Sequence, residues 1–387
     1  MSHLLGRKLL GVFDFFEELP EPRVERTRVH PLMNILIIAL LTMICVGEGW
    51  DDMESFGLAK EAWLSTFLDL SHGIPSADTF RRVLSALDPQ AFHACFVAWA
   101  QALAGGTEGK LVAIDGKTVR HSFNRATGRK ALHVVSAWVA QNRLTLGQIV
   151  TEEKSNEITA IPKLLALLDL RRATVTVDAM GCQREIAAKV IDQGADYVMG
   201  LKGNQGAAHQ EVEAFFTAAL ADDFRDVQYT FHETFDGSEH GRQERRRVWA
   251  SSELAWFADL PKWKGLQSII LVENERTVGT DTSTERRYYW SSHVADAETF
   301  ARMIRGHWGI ENELHWCLDV AFREDDSRMH TDHGPENIAL LRKVAMNLAK
   351  SERTNKRGIQ AKRKLAAWDD SYLLKLLRAG LPGIQAH

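Results

Sequence analysis

The sequence predicts an α/β chain in which an all-α N-terminal domain precedes a core of strands and crossover helices. Two observations predict it. Apolar residues recur at helical spacing through residues 32–46, 52–70 and 90–104. From residue 110 the period changes to that of strands, and two of these strands close on an acid, Asp115 and Asp178.

Taken in order, residues 1–105 form the helical domain. Pro75-Ser76 followed by residues 77–87 is a helix capped by Ser76. Arg81 and Arg82 follow the cap, so either a recognition helix or an ordinary surface helix fits, and the ordinary helix is the better reading. Gly105-Gly106-Thr107 reads as a linker. The core then spans residues 106–350. Residues 111–114 are its first strand; residues 132–140 and 144–151 follow, joined by the turn Gln141-Asn142-Arg143. A helix capped by Ser155 runs to about Leu170. Next come a strand at 173–177, a helix at 183–192 and a strand at 197–201. The order β-β-β-α-β-α-β is that of a ribonuclease-H-like core. In that order the first and fourth strands can lie side by side and bring Asp115 and Asp178 to neighbouring ends. After Gln205 the regularity lapses. Residues 226–236, 242–250, 267–278 and 285–293 read as strands of a β-rich insertion at about 206–295. Residues 296–320 and 336–350 read as helices, and 351–387 as a basic C-terminal tail.

Bulk properties bound the function. A chain of 387 residues with 45% hydrophobic residues can fill two or three cores. With 47 basic against 51 acidic residues, net −4, no global charge advertises nucleic acid. Local charge does. Residues 342–364 hold nine Lys/Arg against Glu352 alone, residues 242–247 read Arg-Gln-Glu-Arg-Arg-Arg, and residues 110–130 hold six Lys/Arg. A solvated face is the better reading of any one run; three of them beside a phosphodiester site point to phosphate. The four cysteines, Cys45, Cys95, Cys182 and Cys317, form no CxxC, which argues against zinc and disulfides and fits a reducing cytoplasm. The apolar run 35–46 is short of the roughly 20 residues of a membrane span. No basic segment precedes it, so a buried helix is expected rather than a signal peptide.

The candidate site is Asp115, Asp178 and Glu311. Two carboxylates at strand ends and a third on a helix can hold Mg²⁺ by oxygen ligation alone. Such a site can polarise a phosphodiester and activate water or a 3′-hydroxyl. On a continuous helix, His307, Glu311, His315 and Asp319 repeat every four residues and share one face. A surface helix with His/acid pairs is the duller account of that stripe. Zinc ranks low because the HExxH order is absent. Glu313 is a rival third carboxylate on another face. Asp115-Gly116-Lys117 alone is mostly a turn signal, and Lys202-Gly203-Asn204-Gln205 is either a polar loop or a phosphate contact. The residues expected to meet DNA are Lys117, Lys202, Asn204, Arg245, Arg305, His307, His315, Arg353 and Arg357.

An ordered set of segments carries a resemblance. They are Ala113-Ile114-Asp115-Gly116-Lys117, Leu132-His133-Val134-Val135-Ser136-Ala137-Trp138, Glu153-Lys154-Ser155-Asn156-Glu157-Ile158, Val177-Asp178-Ala179-Met180-Gly181-Cys182-Gln183, Leu201-Lys202-Gly203-Asn204-Gln205, and the stretch from Arg305-Gly306-His307-Trp308-Gly309-Ile310-Glu311 to Val320. From about residue 12 to 350 the chain resembles the insertion-sequence DDE transposases of the H-repeat-associated group. That resemblance implies a metal triad of Asp115, Asp178 and Glu311, with Mg²⁺ replaceable by Mn²⁺. It implies double-stranded DNA at element ends and target as the partner, a homodimer in the DNA complex, and a cytoplasmic, nucleoid-associated enzyme with no membrane contact. It also implies that the N-terminal helices are the domain accompanying this core. The wider superfamily often has Tyr and Arg upstream of the Glu and Lys downstream. Here Ile304 and His307 hold the upstream places and Leu318 lies near the downstream one, so no DNA-gripping role carries over to them. A ribonuclease-H-like nuclease without strand transfer and a catalytically silent DNA-binding descendant remain the alternatives.

Overall fold

The computed structural model describes residues 11–123, 128, 130–151, 156–237 and 242–383. Its strands are β1 (Leu111–Thr118), β2 (His133–Val139), β3 (Leu144–Thr151), β4 (Thr174–Val177), β5 (Asp196–Leu201), β6 (Thr230–Gly237), β7 (Arg242–Ser251), β8 (Ser268–Val278) and β9 (Asp281–Ser291). The chain divides into two compact units. Unit 1 comprises Met1–Gly106, Gly116–Asn156 and Glu311–His387; unit 2 comprises Thr107–Asp115 and Glu157–Ile310.

Unit 1 is built around the helix Gly334–Ser351, which is buried along nearly its whole length. The helices Leu32–Ile44, Ala77–Ala86, Pro89–Ala104 and Asp370–Ala379 and strand β3 all pack on it. A helix enclosed on every side needs apolar residues all round, as Ile338 to Leu341 and Val344 to Leu348 largely supply. Asn347 is one of its buried polar residues, with Asn337, Arg342 and Lys343. Its Oδ1 accepts from Thr145 N (2.9 Å) and its Nδ2 donates to Thr145 O (2.8 Å), so an amide side chain completes the backbone pairing of β3. The run expected to be a buried helix is one, Leu32–Ile44. No helix among the described residues is long and apolar enough to cross a membrane. Ser76 Oγ accepts from Thr79 N (3.3 Å) as the cap of Ala77–Ala86, and Asp78 pairs with both Arg81 and Arg82, the latter at 2.8 Å. The segment read as a tail instead folds: Ile359–Trp368 and Asp370–Ala379 are helices. Apolar Leu373, Leu376 and Leu377, buried on one face, dock the second of them.

Unit 2 is a mixed sheet. β1 pairs parallel with β4 through Leu111↔Thr174 to Ile114↔Val177, and β4 pairs parallel with β5. Helices Glu157–Ala166 and Arg184–Asp192 make the crossovers. The Ser155 cap expected for the first lies outside the described residues. β5 then pairs antiparallel with β9, and β8, β7 and β6 follow as an antiparallel meander. The β-rich segment therefore continues the parallel sheet through β9. Its start, expected to be irregular, is the helix Gly206–Ala221, whose Ala-rich composition favours that state. The helix Ala297–His307 packs Phe300 and Ile304 against Val198, Val248, Ala250, Ile270 and Val272. The single helix expected over 296–320 is interrupted after His307, and residues Ile310–His315 form a π turn before the helix resumes at Trp316–Phe322.

Candidate active site

Asp115 and Asp178 each stand one residue beyond the paired residues Ile114 and Val177 of parallel β1 and β4. The two acids therefore stand level on adjacent parallel strands of unit 2, Asp178 just past the end of β4 and Asp115 within β1, and both are half-buried. This is where α/β sheets place their sites. The loop after Asp178 is fixed from three sides. Asp178 Oδ1 accepts from Met180 N (2.9 Å) and Gly181 N (3.1 Å), closing an Asx turn. Asn204 Nδ2 donates to Ala179 O (2.6 Å) and Gln205 Nε2 to Cys182 O (2.5 Å). Gly200 on β5 passes so close that a Cβ would stand 3.2 Å from Ala179 N, and a Cβ on Gly181 would stand 2.9 Å from Val177 Cβ. Asn204, expected to meet DNA, thus serves the Asp178 loop. Gly200, which sequence reasoning passed over, carries a legible signal: glycine inside a strand marks close backbone approach.

His307 is half-buried, and its Nδ1 lies 2.9 Å from Thr176 Oγ1, two residues before Asp178. Burial pushes its pKa down to about 4 against the opposing charge of Asp178. Expected to meet DNA, it is here a neutral tie to β4.

Glu311 opens the last segment of unit 1 and is exposed. The π turn that contains it has a wider period than an α-helix, so the four-residue stripe from His307 to Asp319 is not kept. Glu313, the rival, pairs with Arg143 (3.1 Å) and Lys350 (3.2 Å), which commits it to the fold. Asp319 pairs with Lys117 Nζ at 2.5 Å. Lys117 also meets Glu324 (3.0 Å) and Asp325 (3.1 Å). Burial disfavours its charge, yet these carboxylates hold its pKa above the ordinary lysine value. Lys117 was expected at phosphate and instead neutralises three acids. His315 was expected there too. Burial, with Lys343 and Lys117 nearby, lowers its pKa to about 3, so it is neutral.

The basic runs divide by burial. Arg342, Lys343, Lys362 and Arg363 are buried. Lys362 Nζ donates to Ala349 O (2.9 Å) and Glu352 O, and Arg363 Nη2 to Met43 O (2.7 Å), with its guanidinium 4.0 Å from the centre of the Phe322 ring. These four serve the fold and not DNA, which corrects the reading of 342–364 as one phosphate-binding face. Arg353, Lys356, Arg357 and Lys364 are exposed, as are Lys202 and Arg305. On β7, Arg247 pairs with Glu233 (3.0 Å), Glu273 (2.8 Å) and Glu275 (3.6 Å), while Arg245 lies 5.8 Å over the Phe235 ring.

Among the described residues, no three His, Cys, Asp or Glu side chains cluster closely enough to hold a metal ion. What unit 2 supplies by itself is a pair of hard oxygen donors at equivalent places on adjacent strands.

Comparison with known proteins bears on this arrangement. A family model described as "Transposase DDE domain" matches residues 106–348, and one described as "DDE_Tnp_1-associated" matches residues 13–100. The chain is 39% identical over 371 residues to the "Putative transposase YncI" of Escherichia coli O157:H7, covering 95% of this chain and 94% of that one. It is 37% identical over 384 residues to the "H repeat-associated putative transposase YhhI" of Escherichia coli strain K12, covering 96% and 98%. A shorter K12 relative, 38% identical over 66 residues covering 17% of this chain and 79% of that one, is named "Inactive transposase YbfQ".

Proposed function

The chain belongs to the DDE transposases of the insertion-sequence type, and on that premise we propose that it binds its element's ends, cleaves the DNA there and joins 3′ ends to target DNA. The observation that carries this reading is the register of β1 on β4, which gives Asp115 and Asp178 equivalent places on neighbouring parallel strands. That pairing, in the order β-β-β-α-β-α-β, also favours a ribonuclease-H-like core. Glu311 is the third member in this reading because it is exposed, whereas Glu313 is ion-paired.

Asp115, Asp178 and Glu311 would hold divalent cations, Mg²⁺ or Mn²⁺, through oxygen alone. When bound, such ions polarise a phosphodiester and favour deprotonation of water or a 3′-hydroxyl. The chain's own residues do the positioning. Met180 and Gly181 N–H groups fix one oxygen of Asp178 and so orient its carboxylate. His307 ties β4 through Thr176, and Asn204 holds the peptide after Asp178. Lys202, exposed beside that loop, would offer a cation to phosphate.

The test is cleavage and joining of a plasmid carrying the element's terminal repeats, followed on gels with and without Mg²⁺. Cutting with joined products supports the proposal. Cutting without joining would mean a nuclease, and binding without cutting under any divalent ion would mean a silent DNA-binding protein.

A further inference from the structure

Within unit 2, side chains alternate across each strand, so residues two apart share a face. Val248 on β7, Val272 on β8 and Tyr289 on β9 face the helix Ala297–His307. One step further along each strand, that same face carries Arg246, Asn274 and Arg287. Arg246 Nε donates to Asn274 Oδ1 (2.7 Å). Arg287 is held by both oxygens of Glu285 (2.9 and 3.1 Å), and its guanidinium stands 4.7 Å from the centre of the Trp308 ring. Arg305, in the helix's last turn, is exposed. Burial lowers the pKa of Arg246, and the charges of Arg305 and Arg287 lower it further, with Glu244 opposing.

The reverse face of the same strands is different. There Arg247 meets Glu233, Glu273 and Glu275, and Arg286 meets Glu273 at 2.8 Å. Two arginines share three glutamates. On the Arg246 face neither Arg246 nor Arg305 has a salt-bridge partner among the described residues. Guanidiniums brought together at a partly buried place, with too few carboxylates, raise each other's cost of charge. An anion from outside relieves that cost, and the planar fork of arginine suits phosphate oxygens bidentately.

We propose that Arg246, Arg287 and Arg305 form a clamp for the phosphodiester backbone of DNA, with Trp308 and Asn274 orienting the guanidiniums. The clamp rests on the transposase reading and names where in unit 2 the DNA strand is held. Within the basic run of β7 it assigns the phosphate contact to Arg246.

The test is binding of the full chain to labelled duplexes, element-end and scrambled, by fluorescence anisotropy over a salt series. Arg246→Gln, Arg287→Gln and Arg305→Gln are compared with Arg247→Gln and Arg286→Gln. The first three should each weaken binding about tenfold, the scale of losing hydrogen bonds to a charged partner. Each should make the slope of log K against log salt shallower by about 0.9 per lost phosphate contact, on both duplexes. The reverse-face pair should change affinity less than about twofold. Because Arg246 is half-buried, its variant is checked by circular dichroism, and exposed Arg305→Gln carries the test if it fails to fold. Equal behaviour of the two sets, with the parent chain binding DNA normally, overturns the clamp and leaves the transposase reading standing. Failure of the parent chain to bind either duplex overturns the transposase reading instead.

Discussion

Glu324 in unit 1 and Asp178 in unit 2 each follow the end of a regular element, yet they are compensated in opposite ways. Glu324 is 1% exposed. Burial raises its pKa, but Lys117, Lys343 and Arg342 overcome that and bring it down to about 2. Asp178 is half-buried, accepts two backbone N–H groups, and pairs with no cation among the described residues. A carboxylate whose charge is balanced by its own fold contributes to stability and has little left for a ligand. One held in place by neutral N–H groups keeps its charge for something from outside.

The largest effect that would break this comparison is in stability. Glu324→Gln should cost about 3–5 kcal/mol, because it leaves Lys117, Lys343 and Arg342 without their shared buried anion. Denaturant unfolding measures it, and a cost under 1 kcal/mol would show that the cluster is not what compensates Glu324. Asp178→Asn should leave that unfolding midpoint nearly unchanged.

Activity should show the converse. Asp115→Asn, Asp178→Asn and Glu311→Gln should each lower strand cleavage more than about a hundredfold, since even outer partners of metal ligands are worth 10–100-fold. Glu313→Gln should be far milder in cleavage. Normal cleavage by Glu311→Gln beside a dead Glu313→Gln would reassign the third carboxylate.

Protonation sharpens the contrast further. Burial holds His93 at about 4 and His315 at about 3, below the ordinary 6.5, and His93 Nε2 accepts from Gln148 N (2.9 Å), which requires the neutral ring. A histidine with a depressed folded pKa is protonated first in the unfolded chain. Its contribution is therefore complete above pH 6.5 and is lost as pH falls towards 4. Each such group steepens the loss by up to about 1.4 kcal/mol per pH unit. Glu324 adds its own loss only below pH 4.5. Unfolding free energies from pH 7 to 4 should slope downward, and His93→Gln should flatten that slope; an identical slope would remove His93 from the account.

The smallest effect lies within one basic run. Replacing Arg353, Lys356, Arg357 and Lys364 by Gln should flatten the salt dependence of DNA binding by up to about 0.9 per contacted phosphate while leaving stability alone. Lys362→Gln and Arg363→Gln should do the reverse, since both are buried and bonded to backbone carbonyls. An unchanged salt slope in the first set would make those residues a solvated face only.

The sequence by itself determined the elements whose signal is local. The change from helical to strand period at 110, the cap at Ser76 and the acid closing β4 all follow from side chains and backbone within a few residues. Period also made Leu32–Ile44 a buried helix, since a run that is apolar all round has no face to give to water. Tertiary structure decided the fate of charge. Nothing near Lys117 in the chain reveals that Glu324, 207 residues away, will meet it. Arg363 looks like its neighbour Lys364 until the carbonyl of Met43 and the Phe322 ring are folded against it. The continuation of the sheet from β5 to β9, and the π turn that breaks the Glu311 stripe, are likewise long-range outcomes. Whether a charge is a stabiliser or a ligand depends on what lies within a few ångströms, and in this chain those neighbours are set by packing between distant segments.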